Sequence, residues 1–147
     1  MSFFLGLMLF CFYLVPIMVE TNIIRTKVND IWIDDEGFLI LKPKEGVELD
    51  LDEVKACFEA YRTLGIGPHN KVLELIDARD GSMNSEARTY AAEHGKDYFI
   101  AAAIVSDSLA VRLVVNFFNT FYKQIVPFKM FATEESARKW LRTFREA

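Results

Sequence analysis

Cysteine and histidine are scarce, with two of each in 147 residues. Cys11 and Cys57 have no paired spacing, and only His69 and His94 accompany them. That argues against a disulfide framework and against a zinc site, and no metal or cofactor is expected. The two thiols are expected as reduced, buried small hydrophobes. His69 follows Pro68 in a loop and His94 ends a helix. Neither stands where a base or nucleophile would serve, so both are expected at the surface and no catalytic residue is assigned. There is no excess of positive charge: 17 Lys and Arg against 21 Asp and Glu leave a net −4. No ribbon of aromatic and basic residues is present for stacking bases, so nucleic acid is not an expected partner. Repeats, low-complexity stretches and internal linkers are missing too. Gly65-Ile66-Gly67 follows a helix instead of a strand and is no dinucleotide fingerprint.

Charge is wholly absent from residues 3–19, FFLGLMLFCFYLVPIMV. As a helix this run would span about 26 Å, just short of a bilayer core of about 30 Å. A cleaved signal peptide fits poorly, because no Lys or Arg precedes the run and no small-x-small site follows it. Three readings stay open for residues 1–19. One is a membrane anchor, with Arg25 and Lys27 holding the domain on the cytoplasmic face. Another is a packed or dimer-forming helix. The third is a start at Met18 instead of Met1. The protein is thus expected in the cytoplasm or on the cytoplasmic face of the membrane, and residues 20–147 are read as one α/β domain.

Within that domain, Ile23–Val28, Ile31–Ile33 and Phe38–Lys42 have the β-branched and aromatic content of short strands. Asn29-Asp30 and Asp34-Asp35-Glu36-Gly37 divide them as turns. Asp50, with Glu53 three residues on, forms a capping box for a helix. Its apolar face is Leu51, Val54, Phe58, Tyr61 and Leu64, and Gly65 to Pro68 stop it. Val72–Ile76 is apolar on both faces apart from Glu74, as a central parallel strand is. A polar turn from Asp77 to Asn84 leads into a helix, Ser85–His94, ended by Gly95. Tyr98–Val105 is a second central strand. Ser106, Asp107 and Ser108 are cap residues for a very apolar helix, Leu109–Val126. Its polar residues Arg112, Asn116, Asn119 and Lys123 form one narrow stripe, expected as a solvated face. Phe117, Phe118, Phe121 and Tyr122 are expected as core, or as a dimer interface or lipid pocket. Phe128–Phe131 is a short strand. Thr133 caps a last helix that buries Ala137, Trp140, Leu141 and Phe144, with Arg142 and Arg145 matching its dipole.

Opening antiparallel strands followed by alternating helices and strands imply parallel pairing with right-handed crossovers. With a strand ending LELIDARD, a second strand FIAAAIVSD and a closing unit FKMFATEESARKWL, residues 20–147 resemble the STAS-like, SpoIIAA-like α/β domains related to bacterial anti-sigma-factor antagonists. The resemblance implies a mixed sheet, antiparallel then parallel, with four main helices. It implies a non-enzymatic regulatory or interaction role for a stand-alone domain. In the antagonists the strand matching Val72–Ile76 ends in an Asp, here Asp77. It leads to a serine that a partner kinase phosphorylates. That place falls on Glu86, with Ser85 before it, so the switch itself does not carry over residue by residue, and Ser82 and Ser85 are the hydroxyls left to test.

The turn lies at the carboxyl end of a central strand, where open α/β sheets bind ligands and partners. Asp77, Arg79, Asp80, Ser82, Asn84, Ser85 and Glu86 are its polar groups and the first candidate surface. The second is the apolar helix, with Arg112, Asn116, Phe117 and Phe121, as a homodimer interface or the wall of a lipid or small-molecule pocket. A carboxylate site at Asp77 and Asp80 is the weakest reading, since no Lys or Thr completes it. The expected partner is an unidentified protein or small ligand, and membrane contact is expected only through residues 1–19.

Overall fold

The computed structural model describes residues 22–145 except Asp80, Tyr122, Lys123 and the side chain of Phe118. The N-terminal readings, Cys11 included, therefore fall outside the described residues. Strands β1 (Ile24–Arg25), β2 (Asn29–Ile33) and β3 (Leu39–Pro43) pair antiparallel. β5 (Val72–Asp77), β7 (Phe99–Val105) and β8 (Phe128–Phe131) continue from β3 in parallel, giving one six-stranded sheet in the order β1-β2-β3-β5-β7-β8. Two short strands not foreseen, β4 (Val47–Leu49) and β6 (Gly81–Met83), form a separate parallel pair. The predicted polar turn after β5 is therefore partly strand. Four helices join these elements: α1 (Leu51–Thr63), α2 (Ser85–His94), α3 (Leu109–Phe121) and α4 (Glu134–Arg142). The expected mixed α/β sheet, antiparallel then parallel, is what the chain forms. Among the described residues no helix is long and apolar enough to cross a membrane.

The strand period of two sorts the core into two layers. Phe38, Ile40, Leu73, Leu75, Ala101, Ala103 and Val105 turn to one face, where α4 lays Ala137 and Leu141 on them. Ile31, Leu39 and Leu41 turn to the other, under Val54, Cys57, Phe58 and Tyr61 of α1 and Ala87 of α2. A register shift opposite Val72 and Leu73 sits at Ile100. The extra residue turns Phe99 onto the α1 face, where its ring meets Tyr61 at 5.4 Å and Phe58 at 6.3 Å.

Asp34, Glu36 and Gly37 close the β2–β3 hairpin as predicted: Gly37 has φ +80°, and its N–H donates to the Asp34 carbonyl at 2.9 Å. This turn is also clamped from outside. Arg142 donates Nε and Nη2 to the Glu36 carboxylate at 2.8 and 2.6 Å, and Arg138 Nη1 reaches Asp34 at 2.7 Å. The Arg142 hydrogen bonds hold the Glu36 carboxyl down at about 2. The arginines near the end of α4 thus bind an acidic hairpin as well as facing the helix dipole.

Asn29, expected in a turn, is fully buried in β2. Asp50 caps α1 as foreseen, its Oδ1 accepting from the Glu53 N–H at 2.9 Å. Glu53 does not complete the reciprocal box. Its Oε1 accepts instead from the Thr26 hydroxyl, from Asn29 Nδ2 at 3.0 Å and from the Val28 N–H at 3.3 Å. A buried carboxylate thus ties the first hairpin to α1, satisfied by donors from one loop. Glu53→Ala strips the partner from all three, and the expected loss is roughly 3 kcal/mol of unfolding free energy. Glu59→Ala, which removes only an exposed pair with Arg62, is expected to cost less than about 1 kcal/mol. Urea titration of the two variants beside the parent checks the contrast.

Candidate ligand-binding site

β8 is an edge strand, and its outward peptide groups need partners. α3 supplies them. Asn116 donates Nδ2 to the Met130 carbonyl at 3.0 Å and accepts from the Met130 N–H on Oδ1 at 2.9 Å, as a neighbouring strand would. Asn119 donates to the Phe128 carbonyl at 2.7 Å, and Arg112 donates to the Ser106 carbonyl. The stripe expected in solvent is thus the face by which α3 docks, at Arg112, Asn116 and Asn119, while Lys123 lies outside the described residues. The apolar side turns outward. Phe117 is 63% exposed and Phe121 68%, so neither is core, and the two rings pack on each other at 4.8 Å.

With α3 held along the sheet edge, the sheet face under β7 and β8 is left partly uncovered. A cavity of about 460 Å³ lies there. That is within the range of roughly 300–1,000 Å³ common for small-molecule sites. β5 and β7 make its floor with Glu74, Ile76, Ala102 and Ile104, and α1 makes one wall with Val54, Cys57, Phe58 and Tyr61. Arg88 and Ala92 of α2 and Ile125 are exposed and rim the mouth. None of the α3 candidates Arg112, Asn116, Phe117 or Phe121 lines it. Only residues 124–126, placed by sequence at the tail of that helix, do, and they follow α3 as a loop.

The floor carries one chemical anomaly. Glu74 is 5% exposed, on a central strand between β3 and β7. Its Oε2 is sealed from solvent with no hydrogen-bond donor among the described residues. Asn29 Oδ1 and Asp30 Oδ1 share that condition, but they do not line the cavity. Burial pushes the Glu74 carboxyl up to about 8. Burial also pushes the Cys57 thiol up to about 12, with Glu53 and Glu74 adding to it, and raises the Tyr61 phenol, with Glu74 again contributing. Three acids that line the cavity, Glu74 on its floor and Cys57 and Tyr61 in its wall, are therefore held toward their neutral forms. Cys57 is free and buried, as expected.

The turn at the end of β5 is built differently. Asp77 accepts from Arg79 Nε at 2.8 Å and Nη2 at 2.6 Å, and these hydrogen bonds lower its pKa. Asn84 is the N-cap of α2, its Oδ1 accepting from the Ala87 N–H at 2.9 Å. Ser82, Ser85 and Glu86 are exposed. The structure thus brings Asp77 and Arg79 together and sets Ser85 and Glu86 on the first turn of α2, facing solvent. Asp80 lies outside the described residues, and among those described no group of three or more His, Cys, Asp or Glu could hold a metal. A smaller depression of about 130 Å³ runs between Trp32, Lys42, Asp77, Arg79 and Glu134. His94 is half-buried and not on the surface: its ring stacks on Tyr90 at 3.9 Å and its Nδ1 meets the Tyr90 carbonyl at 2.9 Å.

Sequence reasoning missed Glu74, Arg88, Tyr61 and Cys57 as members of one site. The single legible signal was the carboxylate interrupting Val72–Ile76.

A family model described as a domain of unknown function, DUF7793, matches residues 31–145. Among solved structures the chain is similar to an uncharacterized protein from the DUF3478 family with a SpoIIAA-like fold, from Shewanella loihica PV-4. The two are 19% identical with a TM-score of 0.55, over 83% of this chain and 92% of that one. At that identity the likeness is one of fold, and the fold is the SpoIIAA-like one expected from the motifs. No curated protein matches the sequence.

The raised carboxyl has a consequence for stability. A folded-state value of about 8 against an ordinary 4.5 means that the native state binds the extra proton between those pH values. Stability from this group is then full below pH 4.5 and falls as pH rises toward 8. Glu74→Gln removes that fall. The stability of the variant relative to the parent is expected to rise from pH 5 to pH 8, as read by thermal melts across that range.

Proposed function

The chain belongs to the DUF7793 family and has a SpoIIAA-like fold, and from that premise we propose that it is a binding domain whose work is to hold a small, largely apolar molecule between the sheet and the helices α1 and α2. One observation carries the reading: a cavity of about 460 Å³ with apolar walls and a single buried carboxyl on its floor. A void of that size in a small domain forfeits packing that side chains of ordinary size would recover. Its lining is drawn from β3 to β8 together with α1 and α2, so the space is a property of the fold and not of one loop. Few polar groups at defined places on an apolar surface are what a site of this kind needs to orient a ligand.

A second reading, a regulatory domain that docks a protein on the turn 77–86, is supported by the exposure of Ser82, Ser85 and Glu86 beside the rigid Asp77–Arg79 pair. On that reading, incubation with cell lysate and ATP is expected to phosphorylate Ser82 or Ser85, read by mass spectrometry. Unmodified serines count against it.

The cavity reading is tested with N-phenylnaphthylamine, a neutral apolar dye that brightens when it leaves water. One dye per chain is expected to bind. Ala102→Phe places a ring in the space above β7 and is expected to weaken the dye at least about tenfold with the circular dichroism unchanged. Equal binding by the two proteins would place the dye elsewhere and remove the support.

A further inference from the structure

We propose that the cavity takes an apolar amine, its ammonium seated against Glu74 on the floor and its hydrocarbon against the walls of α1 and β7. The proposal rests on the ligand-binding reading above and names the class of ligand. The geometry supplies the argument. Glu74 Oε2 lies sealed at the floor with no donor among the described residues. A buried carboxyl is costly to leave unpaired, so an occupant that donates to Glu74 from the cavity it lines gains what the described residues do not supply.

The groups around it decide which donor. α1 faces the space with Cys57 and Tyr61, which ionise only to anions. β3 and β7 add apolar side chains, and the loop at 124–126 adds Gln124 without charge. Arg88 of α2 is the one cation among the described lining residues. It is exposed at the rim, and its Nη1 donates to the Met83 carbonyl at 3.2 Å. The floor thus has acids and no buried base. A carboxylate ligand would find no cation there to pair it. An alcohol would offer one donor, whereas an ammonium offers three and an opposite charge.

A proton balance follows. Glu74 holds its proton at neutral pH, because burial sets it at about 8. Seating R–NH₃⁺ as an ion pair releases that proton to solvent, one for each ligand bound. Affinity for the amine is then expected to rise about tenfold per pH unit below 8 and to level off above it.

The experiment displaces N-phenylnaphthylamine from the full chain with dodecylamine, dodecanol or laurate, each below its micelle concentration, at pH 6, 7 and 8. Dodecylamine is expected to outcompete dodecanol at pH 8 by at least about tenfold and to weaken steeply toward pH 6. Dodecanol is expected to stay level, and laurate to bind worst. In Glu74→Gln the amine should fall to the level of the alcohol and lose its pH dependence. Should that variant fail to fold, the parent's pH profile still decides. Dodecanol and dodecylamine binding alike at every pH would overturn the amine proposal while leaving the cavity reading in place. No displacement by any of the three, with no dye bound, would remove both.

Discussion

The outward edge of β8 is the constraint on which the arrangement turns. A parallel strand at the end of a sheet leaves peptide groups that must find partners or water. Asn116 meets both groups of Met130 and Asn119 meets the Phe128 carbonyl, so two side-chain amides stand in for a missing seventh strand. The helix that carries them is pinned along the edge by its polar side. An ordinary amphipathic helix would bury its apolar side on the sheet. Here geometry forces the reverse, and the sheet face over β7 and β8 keeps its opening.

Two buried glutamates show how differently the two ends of this face are provided for. Glu53 receives donors from Thr26, Val28 and Asn29, and with them fixes the first hairpin to α1. Glu74, at similar burial, lines the cavity and has a sealed oxygen with no donor among the described residues. The first behaves as a structural tie, since three donors converge on one of its oxygens. The second has no such tie among the described residues. On the opposite face α4 fills the layer with Ala137 and Leu141, and the arginine clamp on Glu36 fastens it outside. Among the described residues the larger cavity lies on the α1 face, and the α4 face keeps only the depression of about 130 Å³.

Much of the fold was legible because it rests on local rules. Apolar runs bounded by turn residues placed β5, β7 and β8, and the caps Asp50, Asn84 and Thr133 opened α1, α2 and α4 where their side chains reach the third residue on. What escaped depends on partners distant in the chain. Asn29 looks like a turn residue until Glu53 stands beside it. β4 and β6 are too short to show a period, and each exists only because the other does. The stripe on α3 has the spacing of a solvated face. Periodicity reports that one side is polar, not whether water or a strand edge will satisfy it. The site was missed for the same reason. Its lining comes from residues spread between Leu41 and Phe128, and one odd carboxyl in an apolar strand was the only local mark.

That mark carries an argument of its own. A glutamate kept on a central strand for stability alone would be a poor choice. At this place Leu or Met would fill the same length without a desolvated carboxyl, and replacing buried charge with well-packed apolar groups is often neutral or stabilising. Gln would at least keep its state constant with pH. A carboxyl with no donor among the described residues, lining a cavity, is the ground on which the proposed partner rests. The turn at Asp77 offers no such vacancy, because Arg79 already occupies its carboxylate from two sides. Of the two carboxyls on β5, the one at the strand end is paired and the one in the middle has no donor among the described residues, and that difference is why the proposed site lies on the face of the sheet and not at its end.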